Sequence, residues 1–236
     1  MKNTSQLTLS VQLPDDETFD SYLSDTNKAV AKQLSLFVEQ VQTSQPNCFY
    51  IFGLTGVGKS HLLHASSAYA AKLSKSSVCL SCAELLHLPV EVLEGLEQIE
   101  VICLDDIQLL AHHKLWQQAV FDLYNRVQEH NHRLIISGDQ SVAQLGLTLP
   151  DLVSRLSWGL TEQLKPFSDI EKVRALQFRA SKRGLMLSDE ATNFLLNRLS
   201  REMDNLIVSL DTLDKASIRE QRKITIPFIK DILNIS

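Results

Sequence analysis

The stretch Cys48-Phe-Tyr-Ile-Phe-Gly-Leu-Thr-Gly-Val-Gly-Lys-Ser60 limits what this 236-residue chain can fold into more than any other. Phe49 to Phe52 is an apolar run with the length and aromatic or β-branched content of a buried strand. It breaks into Gly53-Leu54-Thr55-Gly56-Val57-Gly58-Lys59-Ser60, and a helical pattern follows from His61 to Leu73. G-x-x-x-x-G-K-S between a strand and a helix is a loop that cradles phosphates. Its glycines let backbone N–H groups turn inward with no Cβ in the way. A helix starting near Lys59 adds the partial positive charge of its N-terminus. Lys59 is placed to reach β- and γ-phosphates, and the Ser60 hydroxyl to ligate Mg²⁺. A bare glycine-rich turn is the plainer alternative, but the flanking strand and helix argue against it. The stretch predicts a site for a nucleoside phosphate with Mg²⁺, formed by residues 53–61.

A second stretch supports the first. Val101-Ile-Cys-Leu-Asp105-Asp106-Ile107 reads as a buried parallel strand that delivers carboxylates at its C-terminal end. Beside a phosphate loop, Asp105 suits Mg²⁺ through its water shell, and Asp106 suits orienting or deprotonating an attacking water. Arg133-Leu-Ile-Ile-Ser137-Gly-Asp139 is another strand ending in polar groups, and Leu160 to Leu164 a last short one. Between them lie helical patterns. Asn27 to Val41 carries Val30, Leu34, Phe37 and Val41 at helical spacing. Ala83 to Leu96 follows the strand Val78–Cys82, and Leu115 to Glu129 points Leu115, Ala119, Leu123 and Val127 at the core. Strands alternating with helices predict an α/β fold, a three-layer parallel sheet with ligands at the strands' C-terminal ends.

Past Pro166 the pattern is all helical. Asp169 to Arg183 is closed by Gly184, Ser188 starts a second helix running to Leu199, Arg201 begins a third, and Thr225 caps the last, Ile226 to Leu233. The charge balance changes at the same place. Residues 1–164 hold 10 Lys+Arg against 18 Asp+Glu, a net −8, whereas residues 165–236 hold 13 against 10, a net +3. The expected division is a tail at 1–12, a nucleotide-binding α/β domain at 13–165 and a small helical lid domain at 166–236. Neither part has the dense basic patch of a dedicated duplex-DNA binder.

No run of 18 apolar residues exists, and the first residues lack the apolar core of a signal peptide, so no membrane association and a cytoplasmic location are expected. The four cysteines then read as reduced core residues. Cys79-Leu-Ser-Cys82 lies in a strand-like run with no second pair to complete a zinc site. The histidines, among them His61, His64, His112 and His113, lack the partner spacing a metal needs. Gln6-Leu7-Thr-Leu9 sits in a polar tail. It is either a frayed end or edge strand, or a linear peptide that docks Leu7 and Leu9 in a partner's groove.

Taken together, the phosphate loop, the Asp-Asp strand end, the polar end at Ser137–Asp139 and the helical lid resemble the AAA+ ATPases. Thr18-Phe-Asp-Ser-Tyr22 with Asn27, Leu104-Asp-Asp-Ile-Gln108, Phe121-Asp-Leu-Tyr-Asn-Arg126, Ser154-Arg-Leu-Ser-Trp-Gly-Leu160, Arg201-Glu-Met and Thr225-Ile-Pro-Phe228 look like the family of the bacterial replication initiator DnaA. The resemblance covers essentially the whole chain and implies roles for single residues. Asp139 takes the sensor I position, near the γ-phosphate. Arg201 matches sensor II, a lid arginine that reaches back to the nucleotide. Arg155 matches the arginine finger, which acts on a nucleotide held by a neighbouring subunit. Phe19 and Tyr22 are candidates for contacting the base. The tail Gln6-Leu-Thr-Leu is similar to peptides that bind the replication sliding clamp. A clamp peptide joined to an initiator-like module without the initiator's DNA-binding domain is the arrangement of the initiator's regulatory homologues.

Two readings follow. In the first, the chain is a nucleotide-bound regulator with DnaA and the sliding clamp as partners and DNA contacted only indirectly. Its Arg155 stimulates ATP hydrolysis by the initiator, and self-assembly through AAA+ contacts is open to it. Ser137-Gly138-Asp139 departs from the usual sensor I asparagine or threonine, which favours activating another subunit over efficient turnover. In the second, the intact Lys59, Asp105 and Asp106 serve an autonomous AAA+ ATPase acting as a helicase loader or DNA-remodelling protein.

Overall fold

The computed structural model describes residues 17–39, 46–199 and 202–235. Five parallel strands form one sheet: β1 (Cys48–Phe52), β2 (Ser77–Ser81), β3 (Val101–Asp105), β4 (Arg133–Gly138) and β5 (Leu160–Gln163), ordered β2-β3-β4-β1-β5. The central strands are buried on both faces, as parallel strands flanked by crossover helices must be. Side chains alternate between two cores. Phe49, Ile51, Val101, Cys103 and Ile135 face α1 (Lys28–Glu39) and α2 (Lys59–Lys72). Cys48, Tyr50, Ile102, Leu104, Leu134 and Ile136 pack in the second core with α3 (Cys82–Leu85), α4 (Lys114–Glu129) and α5 (Pro150–Trp158). The expected three layers are present.

Helices α6 (Asp169–Lys182), α7 (Asp189–Arg198), α8 (Met203–Glu220) and α9 (Ile226–Leu233) make the lid. Ser188 and Thr225 cap α7 and α9 as expected, and Ser168 caps α6, each side chain accepting a first-turn amide. The lid core, built on Leu176, Leu195, Leu206, Leu210 and Phe228, is continuous with the α1–α2 core. Polar ties lock the junction. Asn27 on the approach to α1 brackets Lys165, donating to its carbonyl and accepting its amide, both at 2.9 Å. Glu171 on α6 accepts from the Ser24 hydroxyl and the Thr26 amide at 3.0 and 3.1 Å.

Three local expectations are corrected. The helix expected over Ala83–Leu96 is only α3, followed by single 3₁₀ turns at Val90–Leu93 and Leu96–Gln98. Pro89 supplies no amide for a continuing helix, and Gly95 stands at φ +82°. Leu115 is 76% exposed rather than in the core. Leu123 and Val127 are buried as expected and Ala119 partly so, but the first turn of α4 turns Trp116 inward in place of Leu115, with Val120 and Tyr124 completing the buried stripe. Cys82, read as part of a strand, instead begins α3 and is fully buried.

Candidate functional site

β1 ends at Phe52 and gives way to Gly53, whose amide is held by the Gly138 carbonyl at the end of β4, 3.2 Å away. The chain then turns over itself to Gly58, which precedes α2 at φ +86° with no side-chain cap. The first-turn amides of α2 are thereby left facing the loop, where an anion would satisfy them. A Cβ at Gly58 would lie 2.6 Å from the Tyr22 ring, so only glycine fits the turn and the wall behind it. Lys59 is buried, and its Nζ donates to the carbonyls of Gly53 and Leu54 at 3.1 and 3.2 Å.

Beside this loop opens a cavity of about 340 Å³. Thr55, Gly56, Gly58, Lys59, Ser60 and His61 line its phosphate end, with Asp106, Gln108 and Asp139 from the ends of β3 and β4. Met203 and Asp204, at the start of the lid helix α8, close over them. A Cβ on Gly56 would sit 3.2 Å from the Met203 amide, so lid and phosphate loop are in direct apposition. The other end is more apolar, walled by Tyr22, Leu23, Phe167, Ala175, Phe178 and Ile207, with Glu17, Arg179 and Lys182 at its edge. Tyr22 is fixed by its hydroxyl, which donates to the Val57 carbonyl at 2.9 Å, and by an edge-on contact with Phe167. His61 Nε2 lies 2.9 Å from the Thr18 carbonyl and 3.2 Å from the Ser21 hydroxyl, tying α2 to the segment ahead of α1.

The two carboxylates after β3 take different positions. Asp105 is nearly buried, accepts the Ser137 hydroxyl and does not line the cavity. Asp106 does line it, at φ +60°, with its amide bound by Ser137 at 2.9 Å and its carboxylate by Gln108 at 3.0 Å. One oxygen of Asp139 and the amide oxygen of Gln108 are buried without a hydrogen-bond partner at this end. Orphaned acceptors next to open N–H groups fit a hydrated cation and its phosphate counterpart. Among the described residues no cluster of three or more His, Cys, Asp or Glu forms a closed metal cage. Mg²⁺ held by one or two protein groups and substrate phosphates needs no such cage.

The remaining candidates fall outside this cavity. Leu54 is 67% exposed and Val57 is packed in the core, so both serve the loop through their backbone. Phe19 lies edge-on to Tyr69 in a separate depression between α1 and α2 and does not line this cavity. Arg155, in the last turn of α5, stands with its guanidinium 5.6 Å from the Trp158 ring centre and 6.0 Å from that of Tyr124. Arg201, Gln6, Leu7 and Leu9 lie outside the described residues. Gln108, Phe167, Phe178, Arg179, Lys182 and Ile207 were given no role from the sequence. Gln108 stood in the recognised Asp-Asp-Ile-Gln string, but the lid residues carry no local signal, because only the packing of α6 and α8 onto the loop brings them to the cavity.

The model of the bacterial DnaA ATPase domain matches residues 13–163, and that of the Hda lid domain residues 169–233. Among solved structures, domain III of the Thermotoga maritima replication initiation protein DnaA superposes with a TM-score of 0.82 at 18% identity, covering 94% of this chain and 98% of that one. AMPPCP-bound DnaA from Aquifex aeolicus gives 0.71 at 21% identity, covering 89% and 69%. The Thermotoga maritima branch-migration motor RuvB gives 0.67 at 18%, covering 94% and 72%. Among the described residues no helix is long and apolar enough to cross a membrane. With the first of these models spanning more than half of its length, the chain belongs to the bacterial DnaA ATPase-domain family of AAA+ proteins.

Proposed function

We propose that this chain is a regulator of the Hda type: a nucleotide-bound AAA+ module that switches off the replication initiator DnaA. Gln6, Leu7 and Leu9 would tether it to the sliding clamp, with DNA reached only through that clamp, in the cytoplasm. Arg155 would then be presented to ATP held by the initiator, where a guanidinium stabilises the charge that develops in phosphoryl transfer. The observation that carries this reading is the position of Arg155. It does not line the chain's own cavity, and it stands on a helix beside a Trp158 ring that is 70% exposed. The match of residues 169–233 to the Hda lid supports the same reading.

The chain's own nucleotide, ADP or ATP with Mg²⁺, would be structural. Bound by the phosphate loop and by Arg201 of the lid, it would hold the two domains together and stabilise the folded form by mass action. In the chain, Ser60 and Asp105 would hold the cation and Asp106 and Asp139 would hold water near the terminal phosphate. A second reading, an autonomous ATPase such as a helicase loader, draws on that same cluster, since Asp106, Gln108 and Asp139 converge at the phosphate end. Self-assembly through the Arg155 face would be a variant of either.

The test is ATP hydrolysis by the initiator with DNA-loaded clamp and this protein, its Arg155→Ala variant, or a form lacking residues 1–12. The intact protein should accelerate hydrolysis. Arg155→Ala should keep clamp binding but lose the acceleration by about 10³-fold, the usual worth of such an arginine. The truncated form should lose acceleration with its melting temperature unchanged. Undiminished stimulation by the truncated form would sink the tether. Turnover by the isolated protein with no stimulation of the initiator would give the second reading precedence.

A further inference from the structure

Between α1 and α2, outside the nucleotide cavity, lies a second depression of about 360 Å³ that the proposed function does not use. Lys28 and Lys32 border it from α1, one turn apart on the same helix face, and Lys72 borders it from the last turn of α2. Ala31, Ala65 and Ala68 leave room between them. The Phe19 and Tyr69 rings meet edge-on in the same lining, with the Tyr69 hydroxyl donating to the Glu39 carboxylate. All three lysines are exposed, and among the described residues none of their ammonium groups has an ion pair or a hydrogen bond. Asp20 is the one carboxylate among the described residues of the lining, so three positive charges stand against one negative, a net +2. The chain as a whole carries −5.

We propose that this depression is a second anion site, separate from the phosphate loop, for a small ligand carrying several phosphate groups. Lysine ammoniums on flexible stems bind phosphate as point charges. Three of them around one concavity repel one another, and an anion among them turns that repulsion into attraction. The volume is on the scale of small-molecule sites, roughly 300–1,000 Å³. A helix, about 10–12 Å across, does not fit it, which favours a small ligand over a docked polypeptide. Phe19 and Tyr69 add apolar surface for the organic part of such a ligand.

The site adjoins the nucleotide cavity through shared elements. Thr18, Phe19 and Asp20 line the depression, whereas Ser21 and Tyr22 line the cavity, and all five belong to the 3₁₀ turn Phe19–Ser21 and its two caps. The Thr18 hydroxyl accepts the Ser21 amide at 3.3 Å, so a ligand that holds Thr18 and Asp20 also steadies Ser21. Helix α2 serves both spaces, with Ser60 and His61 at one and Tyr69 and Lys72 at the other. An anion in the depression therefore slows the escape of a nucleotide from the cavity next to it. The site does not depend on the chain's action on the initiator.

The test is calorimetric titration of inorganic tripolyphosphate into the full chain, in magnesium-free buffer with ADP at saturation so that the phosphate loop is filled. The expected result is one site in the wild-type protein, weakened at least about tenfold by Lys28→Gln, Lys32→Gln and Lys72→Gln together. That triple variant should keep its ADP affinity and melting temperature, because the three side chains are exposed and outside the cavity. Equal tripolyphosphate affinity in the two proteins would overturn the inference. So would binding that is lost in Lys59→Ala but kept in the triple variant, which would put the anion in the phosphate loop and leave the nucleotide site standing. A short single-stranded oligonucleotide that binds with the same lysine dependence, while tripolyphosphate does not bind, would overturn it in favour of a nucleic-acid strand. Should the triple variant not fold, Lys32→Gln alone decides: a weakening of about threefold is expected, and none would overturn the site. Release of a fluorescent ADP analogue from the wild-type protein should slow at least about twofold on adding tripolyphosphate, and an unchanged rate would overturn the coupling.

Discussion

The Ser137 hydroxyl, at the end of β4, donates to the Asp105 carboxylate at the end of β3. The same oxygen accepts the Asp106 amide at 2.9 Å, so one side chain sets the spacing of both acidic residues. Ser137→Ala removes both bonds from a buried place and leaves a carboxylate and an amide short of a partner. The expected cost is on the order of 2 kcal/mol. In a chain of this size that corresponds to a fall of about 4–8 °C in Tm, measured by calorimetry without nucleotide. A fall below about 1 °C would mean that water replaces the hydroxyl and that the strand ends are held by their backbone alone.

Gly58→Ala tests the wall behind the phosphate loop. The residue stands at φ +86°, and its new Cβ would meet the Tyr22 ring at 2.6 Å. The backbone strain alone costs on the order of 1–3 kcal/mol. Tyr22 lines the cavity, so its displacement should weaken ADP binding at least about tenfold, on the 1.4 kcal/mol per decade scale. Titration calorimetry measures it, and unchanged affinity would show that Tyr22 has room to move aside.

Lys59→Ala should separate binding from folding. Among the described residues the ammonium's partners are the Gly53 and Leu54 carbonyls. Losing them costs about 1 kcal/mol of stability, whereas losing the charge beside phosphates should weaken ADP by about 10²-fold. A thermal shift on adding ADP that matches the wild-type protein would remove Lys59 from the site.

Acid should loosen the junction of lid and core through Glu171. Burial opposes ionisation of this carboxyl, but hydrogen bonds from the Ser168 hydroxyl and amide, the Thr26 amide and the Ser24 hydroxyl prevail and hold it at about 2, below the ordinary 4.5. A depressed folded-state value means that the contribution is complete above pH 4.5 and is lost as pH falls from there toward 2. Urea unfolding at pH 7, 4 and 3 should therefore show Glu171→Gln well below wild type at pH 7, by about 1.5–3 kcal/mol, with the gap narrowing at pH 3. A gap independent of pH would assign the cost to packing instead.

The phosphate loop, the acidic end of β3 and the caps at Ser188 and Thr225 were legible because each is a local device whose residue types and spacing are dictated within a few positions. Only the first position of the α4 stripe was misread, because Leu115 and Trp116 are both apolar and only the sheet beneath decides which of the two points inward. The apolar end of the cavity was not legible beyond Tyr22. Phe167, Phe178 and Ile207 come from segments far apart in sequence that meet only when the lid folds onto the core. Phe19, the other candidate named with Tyr22, stands beside the same turn but packs against Tyr69, outside the cavity.

Ser21, Tyr22 and Leu23 form one wall of the cavity yet precede the first long helix. A recombinant fragment trimmed to the start of that helix would keep every phosphate-loop residue and lose one wall of the cavity beside them. Homologues exchanged by recombination at that point would inherit the phosphate loop from one parent and the facing wall of its cavity from the other.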